Sequence, residues 1–144
     1  MSVNLLTNPG FESGALSPWT PSAANVANVV ATNADYTPYA GEYYLDLETA
    51  VRNRGNTISL HLSDLAPGSN YTVSLQARTR GEGAANYCSV YVYGGTNATV
   101  GAIASMTDTP NEWTAVQGWY VPKAVECCGI LYVFGEQLYG TCAV

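Results

Sequence analysis

The feature that most constrains this chain is an alternation of apolar and polar side chains over short segments. In TISLHLSDL, residues 57–65, Ile58, Leu60 and Leu62 alternate with Ser59, His61 and Ser63. The segment YTVSLQAR, residues 71–78, repeats the pattern. A period of two puts one face of a β-strand in the core and the other in water. The turn sequence APGS at 66–69 separates the two segments and predicts that they form a hairpin.

Further alternating segments occur along the chain. They are EYYLDLE at 42–48, CSVYVYGG at 88–95, EWTAVQGWYVP at 112–122 and GILYVFGEQL at 129–138. Helical periodicity is hard to find, and Gly, Pro, Asn and Ser interrupt the chain at short intervals. A chain of 144 residues suits one hydrophobic core. The sequence therefore predicts an all-β fold, a two-sheet antiparallel β-sandwich, with residues 1–144 as a single domain.

The charge balance argues against two classes of partner. Five Lys and Arg residues stand against eleven Asp and Glu, which gives a formal net charge of −6, and the five bases are scattered. Binding to nucleic acid needs clustered positive charge, and so does binding to an anionic membrane surface. No apolar run approaches the roughly 20 residues that span a bilayer. Low charge together with eleven Tyr and three Trp is typical of an extracellular β protein that binds neutral polar ligands.

Four cysteines indicate an oxidising compartment. They are Cys88, Cys127, Cys128 and Cys142. Their spacing does not match a zinc site, so we expect disulfides, in one of three pairings that the sequence leaves open. Disulfides in turn predict a secreted, extracellular protein. The start at Met1-Ser2 fits this prediction if a start codon has replaced the leader of a mature domain. The sequons at Asn70 and Asn97 would make it a glycoprotein in a eukaryotic secretory route.

Aromatic residues on the polar faces of strands are the candidate binding residues. Tyr91 and Tyr93 point outward if Val90 and Val92 face the core, and Trp119 points outward if Trp113 and Tyr120 turn inward. Such rings can stack on the CH-rich faces of sugars. Gln76 and Arg78 would join them on one outer face if the strands 71–78 and 88–95 are neighbours. The alternatives are a buried Trp119, tyrosines that only pair across strands, and solvated Gln76 and Arg78.

Several segments together resemble a known family. They are NLLTNPGFESG with PW at 18–19, AGEYYLDL, LSDLAPGSNYTVSLQAR and NEWTAVQGWYVP. Their order over about residues 4–125 resembles the jelly-roll carbohydrate-binding modules of cellulases and xylanases, of the type of families 4, 9 and 22, and especially the fungal secreted versions. The resemblance implies a two-sheet sandwich, no catalysis, and a polysaccharide or glycan bound on a sheet face or at the loop rim.

The resemblance also implies a structural calcium ion where the first strand meets the last. Glu12 matches one ligand of that site, but the last strand of such modules carries two adjacent aspartates and this chain ends FGEQLYGTCAV. Calcium prefers six to eight oxygen ligands, so the site is left open. The alternative is that Phe11 fills the core while Glu12 is solvated or held by local amides. Trp19 is expected in the core rather than in a ligand platform.

Catalytic chemistry has few candidate residues. Asp46 and Glu48 share a strand face but do not define a cleft with two carboxylates, and His61 lacks an evident partner. We therefore predict a protein that binds carbohydrate without altering it. The competing prediction is a secreted fungal effector or elicitor that uses the same sandwich to bind a host protein. A short last strand would leave a sheet edge open and favour a homodimer.

Overall fold

The computed structural model describes residues 3–34, 36–48, 56–63, 65–80, 88–95, 102–123, 129–137 and 141–143. These residues form ten β-strands and no helix. The strands are β1 (Thr20–Pro21), β2 (Ala27–Ala31), β3 (Tyr43–Glu48), β4 (Asn56–Leu62), β5 (Tyr71–Arg80), β6 (Cys88–Tyr93), β7 (Ala104–Thr109), β8 (Thr114–Tyr120), β9 (Gly129–Gln137) and β10 (Thr141–Ala143). The predicted all-β fold is confirmed. A helix that could span a membrane is absent from the described residues.

The strands form two antiparallel sheets of five strands each. The first sheet has the order β1-β4-β9-β6-β7 and the second has the order β2-β3-β10-β5-β8. The predicted hairpin between residues 57–65 and 71–78 is therefore wrong, since β4 and β5 lie in different sheets. The turn at 66–69 is present, with Ser69 N donating to Ala66 O. It carries the chain across the sandwich, and alternation cannot distinguish that path from a hairpin because both turn the apolar side chains inward.

The core lies between the two sheets. Its fully or almost fully buried side chains include Leu45, Leu47 and Ala77 from the second sheet and Ile58, Val90 and Val92 from the first. Each of these side chains belongs to the apolar face that the alternation predicts. The faces of the strands follow from sequence because burying apolar surface is the main stabilising contribution to folding.

The N-terminal stretch closes one end of this core. Phe11 and Trp19 are both buried, with ring centroids 6.1 Å apart, and Trp19 Nε1 donates to Asn8 O at 3.3 Å. The side-chain amide of Asn8 donates to Ala15 O at 2.8 Å and holds the intervening turn together. Both rings are core residues, as the sequence predicts.

Candidate functional site

The outer face of the second sheet carries three of the five predicted binding residues. Ala77 and Thr79 are buried on the core side of β5, so Gln76 and Arg78 face outward. In β8, Val116, Gly118 and Tyr120 face inward, while Trp119 faces outward and is 66% exposed. Trp119 pairs with Thr72 and Ala115 pairs with Gln76, so Trp119 and Gln76 lie on the same face. The predicted outward orientation of Trp119 is confirmed, and its role in binding stays a prediction.

Tyr91 and Tyr93 lie on the opposite side of the molecule. They belong to β6 in the first sheet, where Val90 and Val92 fill the core. The prediction that the tyrosines share one surface with Gln76 and Arg78 is therefore wrong. It assumed that β5 and β6 are neighbours in one sheet, whereas the chain crosses the sandwich between them.

Arg78 lies at the centre of a cluster on the outer face of the second sheet. Its guanidinium carbon is 5.0 Å from the ring centroid of Tyr36 and 5.8 Å from that of Trp113. Its Nη2 donates to Asn111 Oδ1 at 2.6 Å. Its Nε is buried and has no hydrogen-bond partner among the described residues. Two aromatic contacts and one hydrogen bond therefore hold the guanidinium in place.

Neighbouring loops and strands hold the two rings in place. Trp113 Nε1 donates to Thr37 O at 2.9 Å, and the Trp113 ring meets Tyr44 edge-on with centroids 6.4 Å apart. Tyr36 N donates to Asn33 Oδ1 at 2.9 Å, which shapes the β2–β3 loop under the Tyr36 ring. We call Arg78, Tyr36, Trp113, Tyr44 and Asn111 the Arg78 cluster.

Sequence reasoning missed most of this cluster. Trp113 was predicted to turn inward, but it is half-buried and packs on Arg78 and on Tyr44, which projects from the outer face of β3. The alternation of β3 does predict that Tyr44 and Asp46 project to that face. Their burial, at 3% and 7% exposure, depends on loop packing that no local pattern reports.

The sheet register sets an acidic residue opposite Arg78. Ala143 of β10 pairs with Asp46 on one side and with Arg78 on the other. The two charged residues therefore stand in one row of the same face, with Cα atoms about 10 Å apart for two strand spacings. Asn28 continues the row, since it pairs with Asp46. This row places a carboxylate, a guanidinium and an amide on one face of the sheet.

A cavity of about 790 Å³ opens beside the Arg78 cluster. Tyr44, Gln76 and Trp113 from the outer face of the second sheet line it, together with core residues such as Ile58 and Val92. Ligand sites are typically concave, with aromatic walls and a few convergent polar groups. The outer face of the second sheet has this character.

The carboxylate of Glu12 is held by backbone amides at the start of β3. It accepts hydrogen bonds from Glu42 N at 3.0 Å and from Tyr43 N at 3.3 Å. The alternative of a carboxylate held by amides is therefore supported, although these amides lie about 30 residues away along the chain. Within the described residues, no group of three or more His, Cys, Asp or Glu side chains is placed to hold a metal ion. The calcium ion stays a prediction.

Replacing Glu12 with glutamine tests these two alternatives. A glutamine presents only one oxygen to the two amides, so we expect the free energy of unfolding to fall by about 1 kcal/mol. This loss is small for a hydrogen bond to a charged group because Glu12 is exposed. Urea unfolding in EDTA measures it, with Glu42→Gln as the matched control. A calcium-dependent rise in the thermal midpoint that Glu12→Gln abolishes would instead support the calcium site.

The four cysteines are only partly within the described residues. Cys88 begins β6 in the first sheet and Cys142 lies in β10 of the second, whereas Cys127 and Cys128 lie outside the described residues. The predicted disulfides stay a prediction.

The architecture and the site together define a class of protein. An antiparallel β-sandwich that presents aromatic rings and fixed polar groups on the outer face of a sheet is a ligand-binding domain of the carbohydrate-recognising type. The model of a family described as a carbohydrate binding domain matches residues 3–137. The chain belongs to this family, which confirms the predicted function, carbohydrate binding without catalysis.

Solved structures show the same fold. The chain is 21% identical to TmCBM61, solved in complex with β-1,4-galactotriose, with a TM-score of 0.64 over 99% of this chain and 93% of that one. It is 20% identical to the C-terminal family 22 carbohydrate-binding module of Clostridium thermocellum Xyn10B, with a TM-score of 0.66 over 90% and 83%. It is 19% identical to the CBM22-1 xylan-binding domain of Paenibacillus barcinonensis Xyn10C, with a TM-score of 0.68 over 93% and 85%. No curated protein sequence matches the chain.

Proposed function

We propose that the chain binds a single neutral polysaccharide chain along the outer face of the second sheet, over the Arg78 cluster and toward Gln76 and Trp119. The observation that carries this proposal is the guanidinium of Arg78, which is held between Tyr36 and Trp113 on the outer face of the second sheet while the side chain stays partly exposed. A donor that is already held in place loses little conformational entropy when it meets a ligand.

Each part of the face suits a sugar in a different way. The rings of Trp113 and Trp119 offer apolar surface to the CH-rich side of a pyranose. Arg78 donates hydrogen bonds to hydroxyl oxygens, and the carboxylate of Asp46 accepts them from hydroxyl groups. A neutral polymer fits better than a charged one, because Asp46 and Arg78 balance each other on the face and the whole chain carries a net charge of −6.

The solved relatives suggest which polymers to test first. Two of them bind, by their descriptions, xylan or β-1,4-galactotriose, so β-1,4-linked xylan and galactan are the first candidates here. Affinity electrophoresis in gels with soluble xylan, galactan, mixed-linkage glucan and carboxymethylcellulose tests the proposal. Retardation by at least one neutral polymer, without release of reducing ends, is the expected result. No retardation in any gel, together with capture of a host protein, would support the effector alternative instead.

Replacing Trp119 with alanine tests how far the site extends along the sheet. Because the side chain is 66% exposed, we expect the thermal midpoint to change little. Loss of one stacking ring should weaken binding to long chains about tenfold. Isothermal titration with oligosaccharides of increasing length measures the effect, and Trp119→Phe is the matched control. Unchanged affinity for every length would place Trp119 outside the site.

Four features of the wider proposal rest on the sequence alone. The protein is secreted from a fungal cell, its cysteines form disulfides, its sequons carry glycans, and it forms a homodimer. The expectation that the last strand leaves an edge open for this dimer is wrong, because β10 lies between β3 and β5. Mass spectrometry of the natural secreted protein, before and after reduction, tests the first three. Light scattering tests the homodimer.

A further inference from the structure

We propose that the outer face of the first sheet is a second carbohydrate-binding site, a flat one that takes the surface of an insoluble neutral polysaccharide. The cleft beside Arg78 and this face lie on opposite sheets, so the two sites are separate. The inference goes beyond the proposed function, and its test separates the two sites.

The side chains of Tyr91 and Tyr93 form an ordered pair on this face. Their ring centroids are 6.4 Å apart and their planes are inclined by 29°. Val90 and Val92 on the other side of the strand have no exposed surface, which fixes the direction of the tyrosines. The two rings are half-buried and nearly parallel, on positions about 7 Å apart along the strand.

The register of β9 places two more aromatic residues beside this pair. Phe134 pairs with Tyr91, and Tyr132 pairs with Tyr93. Cross-strand partners lie on the same face of a sheet, so four aromatic residues occupy adjacent positions in a two-by-two arrangement. We call these four positions the aromatic face.

Hydroxyl residues flank the aromatic face on both sides. Thr57 pairs with Phe134 and Ser59 pairs with Tyr132, while Ser105 pairs with Tyr91. The four central positions carry no charge, and Glu136 stands beyond them, opposite Ser89. Uncharged rings with hydroxyl groups at the margin match a neutral polymer, whose apolar CH faces and hydroxyl groups alternate across its surface.

The shape of the aromatic face indicates a different kind of ligand from the one proposed for the cleft beside Arg78. On the second sheet the loop residue Tyr36 packs against Arg78, so the proposed cleft is bounded by a loop and suits a single chain. The four positions of the aromatic face belong to two hydrogen-bonded strands and lie side by side, so they extend in two directions across the sheet. A broad apolar face gains contact area only from an extended surface, such as packed chains in an insoluble polymer.

Adsorption to insoluble polymers tests this inference. The variants are Tyr91→Ala, Tyr93→Ala and the double variant, with Tyr91→Phe and Tyr93→Phe as matched controls that keep the rings. Microcrystalline cellulose, β-chitin and insoluble xylan serve as ligands, each with and without an excess of the soluble oligosaccharide that saturates the cleft. Thermal unfolding of each variant is measured alongside, and Tyr91→Thr with Tyr93→Thr replaces any alanine variant that unfolds.

Two separate sites give a specific pattern of results. On at least one insoluble polymer, we expect adsorption that soluble oligosaccharide does not abolish, and a weakening of about tenfold for each tyrosine removed. The phenylalanine controls should adsorb like the unchanged protein, and all variants should keep the affinity for soluble oligosaccharide. Full competition by the oligosaccharide, or equal adsorption by folded variants without the tyrosines, would overturn the inference and leave the cleft proposal intact. Loss of dimerisation in the variants without loss of adsorption would identify a second copy of the chain as the occupant, and would also overturn it.

Discussion

Replacing Arg78 with methionine is expected to weaken the binding of soluble oligosaccharide by about 10- to 100-fold. A hydrogen bond from a charged donor is worth about 1.5–3 kcal/mol, and a factor of ten in affinity corresponds to about 1.4 kcal/mol. Methionine keeps an unbranched apolar stem between Tyr36 and Trp113 but removes every N–H donor. The loss should therefore appear in affinity, as measured by isothermal titration, while the rings stay in place.

The controls separate the charge of Arg78 from its geometry. Lysine keeps the charge but has no planar fork of donors, so Arg78→Lys should recover only part of the affinity. Asn111→Ala removes the acceptor that holds Nη2 at 2.6 Å and should cost less than Arg78→Met, because the two ring contacts remain. If Arg78→Met binds every soluble glycan as tightly as the unchanged protein, the cleft beside Arg78 is not the site.

The faces of the strands could be predicted from sequence, and the neighbours of the strands could not. Alternation alone places Ile58, Leu60 and Ala77 in the core, because each strand must bury its apolar side whichever strands lie beside it. Pairing depends on where the chain crosses between the sheets. The turn at 66–69 looks the same in a hairpin and in a crossover, so the prediction of neighbouring strands was wrong for β4 and β5.

The candidate site depends on pairing and was therefore only partly predictable. Gln76, Arg78 and Trp119 face outward as the alternation of β5 and β8 requires. Tyr91 and Tyr93 also face outward, but from the other sheet. Tyr36 lies in a loop without periodicity, and only the folded β2–β3 connection brings it to Arg78. To predict Tyr36 as a site residue from sequence, one would have to start from the turn-forming residues of its loop. The turn at Asn33, whose Oδ1 accepts a hydrogen bond from Tyr36 N, is a feature of this kind.

The contacts of Glu12 are a further example of what the local sequence could not predict. The resemblance singles out this carboxylate as a calcium ligand, which stays a prediction, whereas its bonded partners are the amides of Glu42 and Tyr43 at the start of β3. Gly41 makes this contact feasible, since a Cβ there would lie against the Glu12 carboxylate, and its φ of +75° also favours glycine. A long-range contact of this kind leaves no local pattern in the sequence.

Replacing Gly118 with alanine is expected to destabilise the fold by about 3 kcal/mol or more, the upper range for overpacking. Gly118 lies on the core side of β8 and faces the backbone of Ile103, which precedes β7 of the other sheet. A Cβ at this position would overlap the backbone carbonyl oxygen of Ile103. Neither backbone can move alone, because β8 is paired with β5, and Ile103 N donates to Val92 O at 2.8 Å in the other sheet. The added methyl group therefore has to push the two sheets apart.

A second glycine provides the control that isolates this steric cost. Gly68 has a φ of +77°, and a Cβ there would meet no atom within 4 Å, so Gly68→Ala should cost only about 1 kcal/mol of backbone strain. Thermal unfolding should place Gly118→Ala about 10 °C below the unchanged protein and Gly68→Ala only about 3 °C below it. A larger loss from Gly68→Ala than from Gly118→Ala would contradict the close approach of β7 and β8. Because Gly118 directly precedes Trp119 in β8, the thermal midpoint is measured without ligand, which separates the effect on stability from any effect on binding.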